Sequence, residues 1–263
     1  MPKRSPAVAG LFYPLDSAAL RREMDRCMPP QASRPAVGIV APHAGYKYSG
    51  ATAGIVFGAV DVPGLVIVIS PNHTGLGPPM SIYPGGSWTT PAGEIPIDAE
   101  VSARLVTLDP ELEAETVAHE SEHGVEVEIP FILRRNPQAR LVAIVLATQD
   151  FAKMERLGAA LAQIDGALIV ASSDMNHFED DATTRAKDRR ALDRIVALHE
   201  AGLDEVCRRE HISMCGRAPA VAMMVAARRL GAKAAEVLDY RTSADAGGGT
   251  ERCVGYAAVR VDR

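Results

Sequence analysis

Three short polar turns each carry a side chain able to bind a metal or move a proton. They are Pro42-His43-Ala44-Gly45-Tyr46, Pro71-Asn72-His73-Thr74-Gly75 and Ser173-Asp174-Met175-Asn176-His177-Phe178. Imidazole is a ligand for iron, copper and zinc, and it also titrates near neutrality. A single histidine at a strand end more often caps backbone groups, and Asp174 could simply cap a following helix. The recurrence of histidine in three such turns argues for chemistry instead. A further pair lies in Ala118-His119-Glu120-Ser121-Glu122-His123-Gly124. Histidine beside carboxylates can be a metal site, a general-base pair or a surface ion-pair cluster. His123 abuts Gly124 and a partly apolar stretch, so it is the better pocket candidate. His119 is expected at the rim or in solvent, and His199 and His211, among charged residues, in solvent.

Cys215 lies in Ser213-Met214-Cys215-Gly216-Arg217-Ala218-Pro219, just ahead of an expected helix. A helix N-terminus favours thiolate, the form that binds metal. The alternative is a small buried residue, which is the expectation for Cys27, Cys207 and Cys253. Arg217 could hold an anionic group or a surface carboxylate. Two histidines, one cysteine and an Asp/His pair do not select a metal by themselves. Thiolate moves the preference toward iron, copper or zinc and away from magnesium. Three protein ligands with an open position would mark a catalytic centre, with His177 free to act as acid or base.

The elements that must position these groups are legible as apolar runs. Residues 36–41, 65–70, 141–146 and 167–172 read as strands buried on both faces, because each run is short and nearly continuously apolar. Residues 236–240 and 254–259 add strands near the end. Helices are expected over 17–28 with Ser17 as N-cap, 51–60, 98–108 with a capping Asp98, 153–164, 183–199 and 219–230. Residues 80–97, rich in Pro and Gly, read as an inserted hairpin or loop. Strands alternating with helices predict one three-layer α/β domain over 1–263, with a largely parallel or mixed central sheet. In such sheets ligands bind beyond the carboxyl ends of the strands, where His43, His73, Asp174 and His177 would converge. Pro42 and Pro71 fix the chain leaving the strand, and Gly45 and Gly75 permit tight turns.

Of 263 residues, 47% are hydrophobic and 23% charged, which suits a buried core. The formal net charge of -5 disfavours a nucleic-acid partner. No apolar window is long enough to span a membrane, and the start lacks an apolar signal core. Four widely spaced cysteines without a CxxC pair argue against a disulfide scaffold or a four-cysteine zinc site, so a cytoplasmic location is expected.

Taken together, the motifs resemble the Memo family, including prokaryotic proteins labelled AmmeMemoRadiSam system protein B. The matching segments are Ala9-Gly10-Leu11-Phe12-Tyr13-Pro14, Ala41-Pro42-His43-Ala44-Gly45-Tyr46 with Ser49-Gly50, Ser70-Pro71-Asn72-His73, Glu122-His123 through Glu126 to Pro130-Phe131, Ser172 to Phe178, Cys215-Gly216-Arg217 and Gly255-Tyr256-Ala257-Ala258. The resemblance implies a fold similar to class III extradiol dioxygenases, which use non-heme iron(II). It implies metal ligands at His43, His73 and Cys215, with Asp174 and His177 in the same pocket as catalytic candidates. His123, Asn72, Tyr46 and Arg217 are expected to line that pocket. Fe(II) is the first expectation for the ion, with Cu or Zn as alternatives. The cysteine stands where the dioxygenases have a glutamate, which weakens the case for ring cleavage. The resemblance therefore points to a metal-binding redox protein. A metal carrier or peptide-binding module and a zinc hydrolase are the alternatives. A small molecule or peptide would be the ligand, and radical-SAM and Amme-type domain proteins would be partners by association.

Overall fold

The apolar runs pair into the middle of one sheet. The computed structural model describes residues 3–263. In chain order the first elements are β1 (Lys3–Arg4), α1 (Ser17–Cys27), β2 (Gly38–Ala41), α2 (Tyr46–Gly58) and β3 (Leu65–Pro71). Then come β4 (Met80–Ile82), β5 (Ser87–Thr90), β6 (Gly93–Pro96), α3 (Ala99–Leu108), β7 (Glu113–Ala114), α4 (Val117–Glu120) and α5 (Ile129–Arg135). The remainder is β8 (Arg140–Leu146), α6 (Phe151–Leu161), β9 (Ala167–Ser172), β10 (His177–Glu179), α7 (Asp181–Val196), α8 (Glu200–Arg209), α9 (Arg217–Arg229), β11 (Ala234–Thr242) and β12 (Cys253–Asp262).

The main sheet runs β10-β12-β2-β9-β3-β8-β4-β7, with β11 beside β12. Strands β2, β9, β3 and β8 are parallel, while β4, β10, β11 and β12 add antiparallel pairs, so the sheet is mixed. Alternate residues of each central strand enter two different cores. Ile67, Ile69, Val142, Ile144 and Ile169 pack on one face with residues of α6, α7, α8 and α9. Val66, Val68, Leu141, Ala143, Leu168 and Val170 pack on the other with α1, α2 and α5. That double coverage is why the strands read as unbroken apolar runs. The expected three-layer α/β arrangement is the one found.

Several boundaries differ from the sequence expectation. Asp16, not Ser17, caps α1, its side chain accepting from the Ala19 N–H at 2.8 Å. Ser17 Oγ instead donates to the Pro91 carbonyl. Helix α2 starts at Tyr46 rather than at 51, with Tyr46 and Ser49 of its first turn buried and Lys47 and Tyr48 exposed. The helix expected over 183–199 stops at Val196, and Leu198 takes φ +49° before α8, which the sequence reading did not separate. Residues 80–97 do contain a hairpin, β5–β6, which also pairs with β1, but β4 joins the main sheet against β8. None of the helices among the described residues is long and apolar enough to cross a membrane.

Candidate metal centre

The order β2-β9-β3 brings three strand ends side by side, with Ala41 opposite Ser172 in the ladder. His43 follows β2, His73 follows β3, and Ser173 to His177 follow β9. Nearby, the loop between α4 and α5 delivers His123. The ring centres of His73 and His123 are 4.3 Å apart, those of His43 and His73 5.0 Å, and those of His43 and His123 5.4 Å. One nitrogen from each ring lies within 4.8 Å of the others. Such convergence of three imidazoles fits a cation, since each can turn a lone pair toward a shared point.

Two of the three rings are held by a hydrogen bond at Nδ1. Glu122 Oε1 accepts from His73 Nδ1 at 2.8 Å, and Oε2 accepts from the His73 backbone N–H at 2.6 Å. The same Oε1 accepts from the N–H groups of His123 and Gly124. Burial alone would raise the Glu122 carboxyl, but the His73 hydrogen bond and charge, with the backbone donors, outweigh it and hold it down at about 2. An ionised carboxylate that fixes His73 by Nδ1–H leaves Nε2 as the free nitrogen, the usual way a protein orients a metal-binding imidazole. His43 Nδ1 lies 2.8 Å from Ser172 Oγ. Burial, and then the facing His73, push His43 down to about 3, and burial with His43 pushes His123 down to about 4. Both rings are therefore neutral near pH 7, as ligands must be. His43 is buried, whereas the His73 side chain is 31% exposed, so the cluster is walled on one side and open on the other.

Gly124 is forced by this packing. A Cβ there would stand 2.1 Å from Ser70 Oγ and 3.3 Å from His43 Nδ1. Gly75, by contrast, answers a turn, with φ +69°.

The other expected site residues divide. Cys215 Sγ is 3.3 Å from His43 Nε2, so the thiol abuts the cluster. Burial first, then the Asp174 charge, push the Cys215 thiol well above its ordinary value. Asp174 caps no helix; α7 is capped by Asp180. Its Oδ1 accepts from the N–H groups of His43 and Ala44, pinning the His43 turn. His177 Nδ1 pairs with the Ser213 carbonyl at 2.8 Å, and its N–H donates to Ser213 Oγ. Asn72 holds its own turn, accepting from the N–H groups of Thr74 and Gly75 and donating to the Leu76 carbonyl. Tyr46 is a core residue beneath the site, its hydroxyl donating to the Val127 carbonyl and its ring against Phe131. Arg217 is engaged by Gln149 and Asp204.

His119 is not at the rim. It is fully buried, its Nε2 2.8 Å from Ser81 Oγ and its ring edge-on to Tyr83, and burial lowers it to about 3. Its acidic neighbours suggested solvent, but only one side of this short helix faces out. The sequence reading also gave no role to Glu122, Ser172, Glu126 or Glu128. Glu126 and Glu128 alternate with Val125, Val127 and Ile129, and carboxylates in so apolar a stretch were the available sign of buried polar contacts. Glu126 accepts from Arg4, Tyr13 and the N–H groups of Ala7 and Val8, while Arg4 also donates to the carbonyls of His119 and Glu122. The N-terminal segment thus straps down the loop that carries Glu122 and His123.

The profile of the Memo-like protein family matches residues 4–260. A MEMO1 family protein of Methanopyrus kandleri is 36% identical over 277 residues, covering 98% of each chain. That of Methanothermobacter thermautotrophicus is 36% identical, covering 97% of this chain and 98% of its own. A third, from Desulfurococcus amylolyticus, is 37% identical and covers 99% of both. Matched from end to end by profile and relatives alike, the chain belongs to the Memo-like protein family.

Proposed function

We propose that the chain is a non-heme metal-dependent redox protein whose ion is held by His43, His73 and His123, with Cys215 as a fourth donor beside His43. The observation that carries this reading is the meeting of three imidazole nitrogens within 4.8 Å of one another. Support comes from Glu122, which orients His73 as a carboxylate orients a ligating imidazole. His123 thus joins His43, His73 and Cys215 in the proposed donor set. A nitrogen-rich set with one sulfur suits Fe(II), and also Cu or Zn, better than a hard cation. When bound, the ion would supply Lewis acidity and a redox couple on the open side near His73.

The residues of the chain then divide the remaining work. His177 donates through Nδ1–H to the Ser213 carbonyl, so Nε2 keeps a lone pair able to take a proton from a bound ligand. Asp174 acts on the backbone of His43 and Ala44 and so positions the ligand turn. The ligand is a small molecule or peptide, the location cytoplasmic, and radical-SAM and Amme-type domain proteins are the partners proposed. Anaerobic purification followed by metal analysis of the wild type, His43→Ala and Cys215→Ala tests the reading. Metal lost in both variants supports it; metal content unchanged in both contradicts it.

Two observations favour a second reading, a metal carrier without turnover. A thiol stands in the donor set, and Asp174 Oδ1 is taken up by the backbone N–H groups of His43 and Ala44. Bound metal with no oxygen consumption across a substrate panel would select the carrier. Oxygen-dependent turnover abolished by His177→Ala would select the enzyme, and Zn(II)-dependent turnover without oxygen would indicate hydrolysis.

A further inference from the structure

Ser172 Oγ makes three short contacts at once. It lies 2.7 Å from the Gly124 carbonyl oxygen, 2.8 Å from His43 Nδ1 and 2.9 Å from Glu128 Oε1. Ser172 and Glu128 are fully buried and His43 nearly so. A hydroxyl has one proton to give and can accept two. The Gly124 carbonyl can only accept, and among the described residues Ser172 is its donor. The other two contacts must then be donated to Ser172. His43 can do so as Nδ1–H. An ionised carboxylate cannot, and would set two lone pairs against each other in a buried site.

We propose that Glu128 is a neutral carboxylic acid that donates its proton to Ser172 and so fixes His43 as the Nδ1–H tautomer, with the Nε2 lone pair turned to the metal centre. The inference rests on the reading of the histidine cluster as a metal site, and makes Glu128 a positioning residue for its most buried ligand. Glu128 Oε2 has no hydrogen-bond partner among the described residues, as suits the carbonyl oxygen of an acid better than half of a carboxylate. Burial pushes the Glu128 carboxyl well above its ordinary value, and the Ser172 contact offsets only part of that. If Glu128 were ionised, it would claim the Ser172 proton and leave the Gly124 carbonyl unpaired beside the cluster. With Glu128 protonated, all three contacts are satisfied, and His43 Nε2, 3.3 Å from Cys215 Sγ, is left without a proton.

The test starts with the metal-free full chain, so it does not depend on which ion binds. Difference infrared spectra of wild type against Glu128→Gln should show the carbonyl stretch of a protonated carboxyl in the wild type at neutral pH. Nitrogen-15 NMR should show His43 protonated on Nδ1 and bare on Nε2. Absence of that infrared band, or a proton on Nε2, overturns the proposal. Titration with Zn(II) alone then tests the positioning. Glu128→Gln, whose amide can still donate to Ser172, should bind within about threefold of wild type, whereas Glu128→Leu should bind at least about tenfold more weakly. Equal affinity in Glu128→Leu contradicts the positioning role. Should Glu128→Leu fail to fold, the spectra of the wild type still decide the proton's place. Wild-type protein that binds no metal would refute the metal reading, while the two spectra would still report on Glu128 and His43.

Discussion

Glu122 grips His73 twice, taking the ring Nδ1–H on one carboxylate oxygen at 2.8 Å and the backbone N–H on the other at 2.6 Å. Both oxygens are thus full acceptors, and Oε1 also takes the N–H groups of His123 and Gly124. Glu122→Gln puts an NH2 where a donor already points. The variant should lose about 10–100-fold in metal affinity. It should also lose about 1–3 kcal/mol of stability from the unpaired buried groups. Metal titration and urea unfolding read the two effects separately; wild-type affinity in Glu122→Gln would remove Glu122 from the account.

Gly124 allows the His123 loop to lie against the end of β3. Gly124→Ala drives a Cβ into Ser70 Oγ, and should destabilise by about 1–3 kcal/mol, as overpacking does. Ser70→Ala removes the offending oxygen. The double variant should therefore be more stable than Gly124→Ala alone, and a double-mutant cycle measured by denaturant unfolding checks it. Additive effects would mean the clash is relieved elsewhere.

The positions of these histidines are only partly readable in the sequence. His43, His73 and His177 stood out because each follows a strongly apolar strand, and parallel neighbours must end together. The sequence could not say that β9 inserts between β2 and β3, which is what brings Ser172 under His43. His123 was ambiguous because its loop belongs to no strand; its place depends on Arg4, more than a hundred residues away, holding the Glu122 carbonyl. His119 misled for the same reason, since the surface it packs on comes from Ser81 and Tyr83 rather than from its own neighbours.

Arg4 and Glu126 form a fully desolvated pair, with 4% and 0% of their side chains exposed. Arg4→Met leaves Glu126 buried without its cation and should cost about 3–5 kcal/mol. Arg4→Met with Glu126→Gln should recover much of that loss, because no charge is then stranded. Urea unfolding of the three proteins is the measurement, and a double variant no better than Arg4→Met would show that the guanidinium bonds to the His119 and Glu122 carbonyls dominate instead.

Asp188 gives a pH dependence of definite sign. Burial raises it from 3.8 to about 6, against the opposing hydrogen bond from Tyr240. The folded state holds this proton more tightly than the unfolded chain. Its contribution to stability is therefore full below about 3.8 and is lost as pH rises through about 6. At ~1.4 kcal/mol per pH unit the change amounts to about 3 kcal/mol. Asp188→Asn should remove this dependence, since an amide can accept from the Asn176 N–H and donate to the Tyr240 oxygen. The stability difference between variant and wild type, followed by denaturant unfolding across that window, should grow in the variant's favour as pH rises; a constant difference would contradict it.

The central claim is that His43, His73 and His123 bind one ion together. The most direct measurement is X-ray absorption spectroscopy on protein loaded anaerobically with Fe(II) or Zn(II), alongside metal stoichiometry of His43→Ala, His73→Ala and His123→Ala. One ion per chain is expected, with nitrogen scattering typical of several imidazoles, a sulfur contribution from Cys215, and loss of the ion in each histidine variant. An ion that stays bound in all three variants, or one whose surroundings lack imidazole, would contradict it.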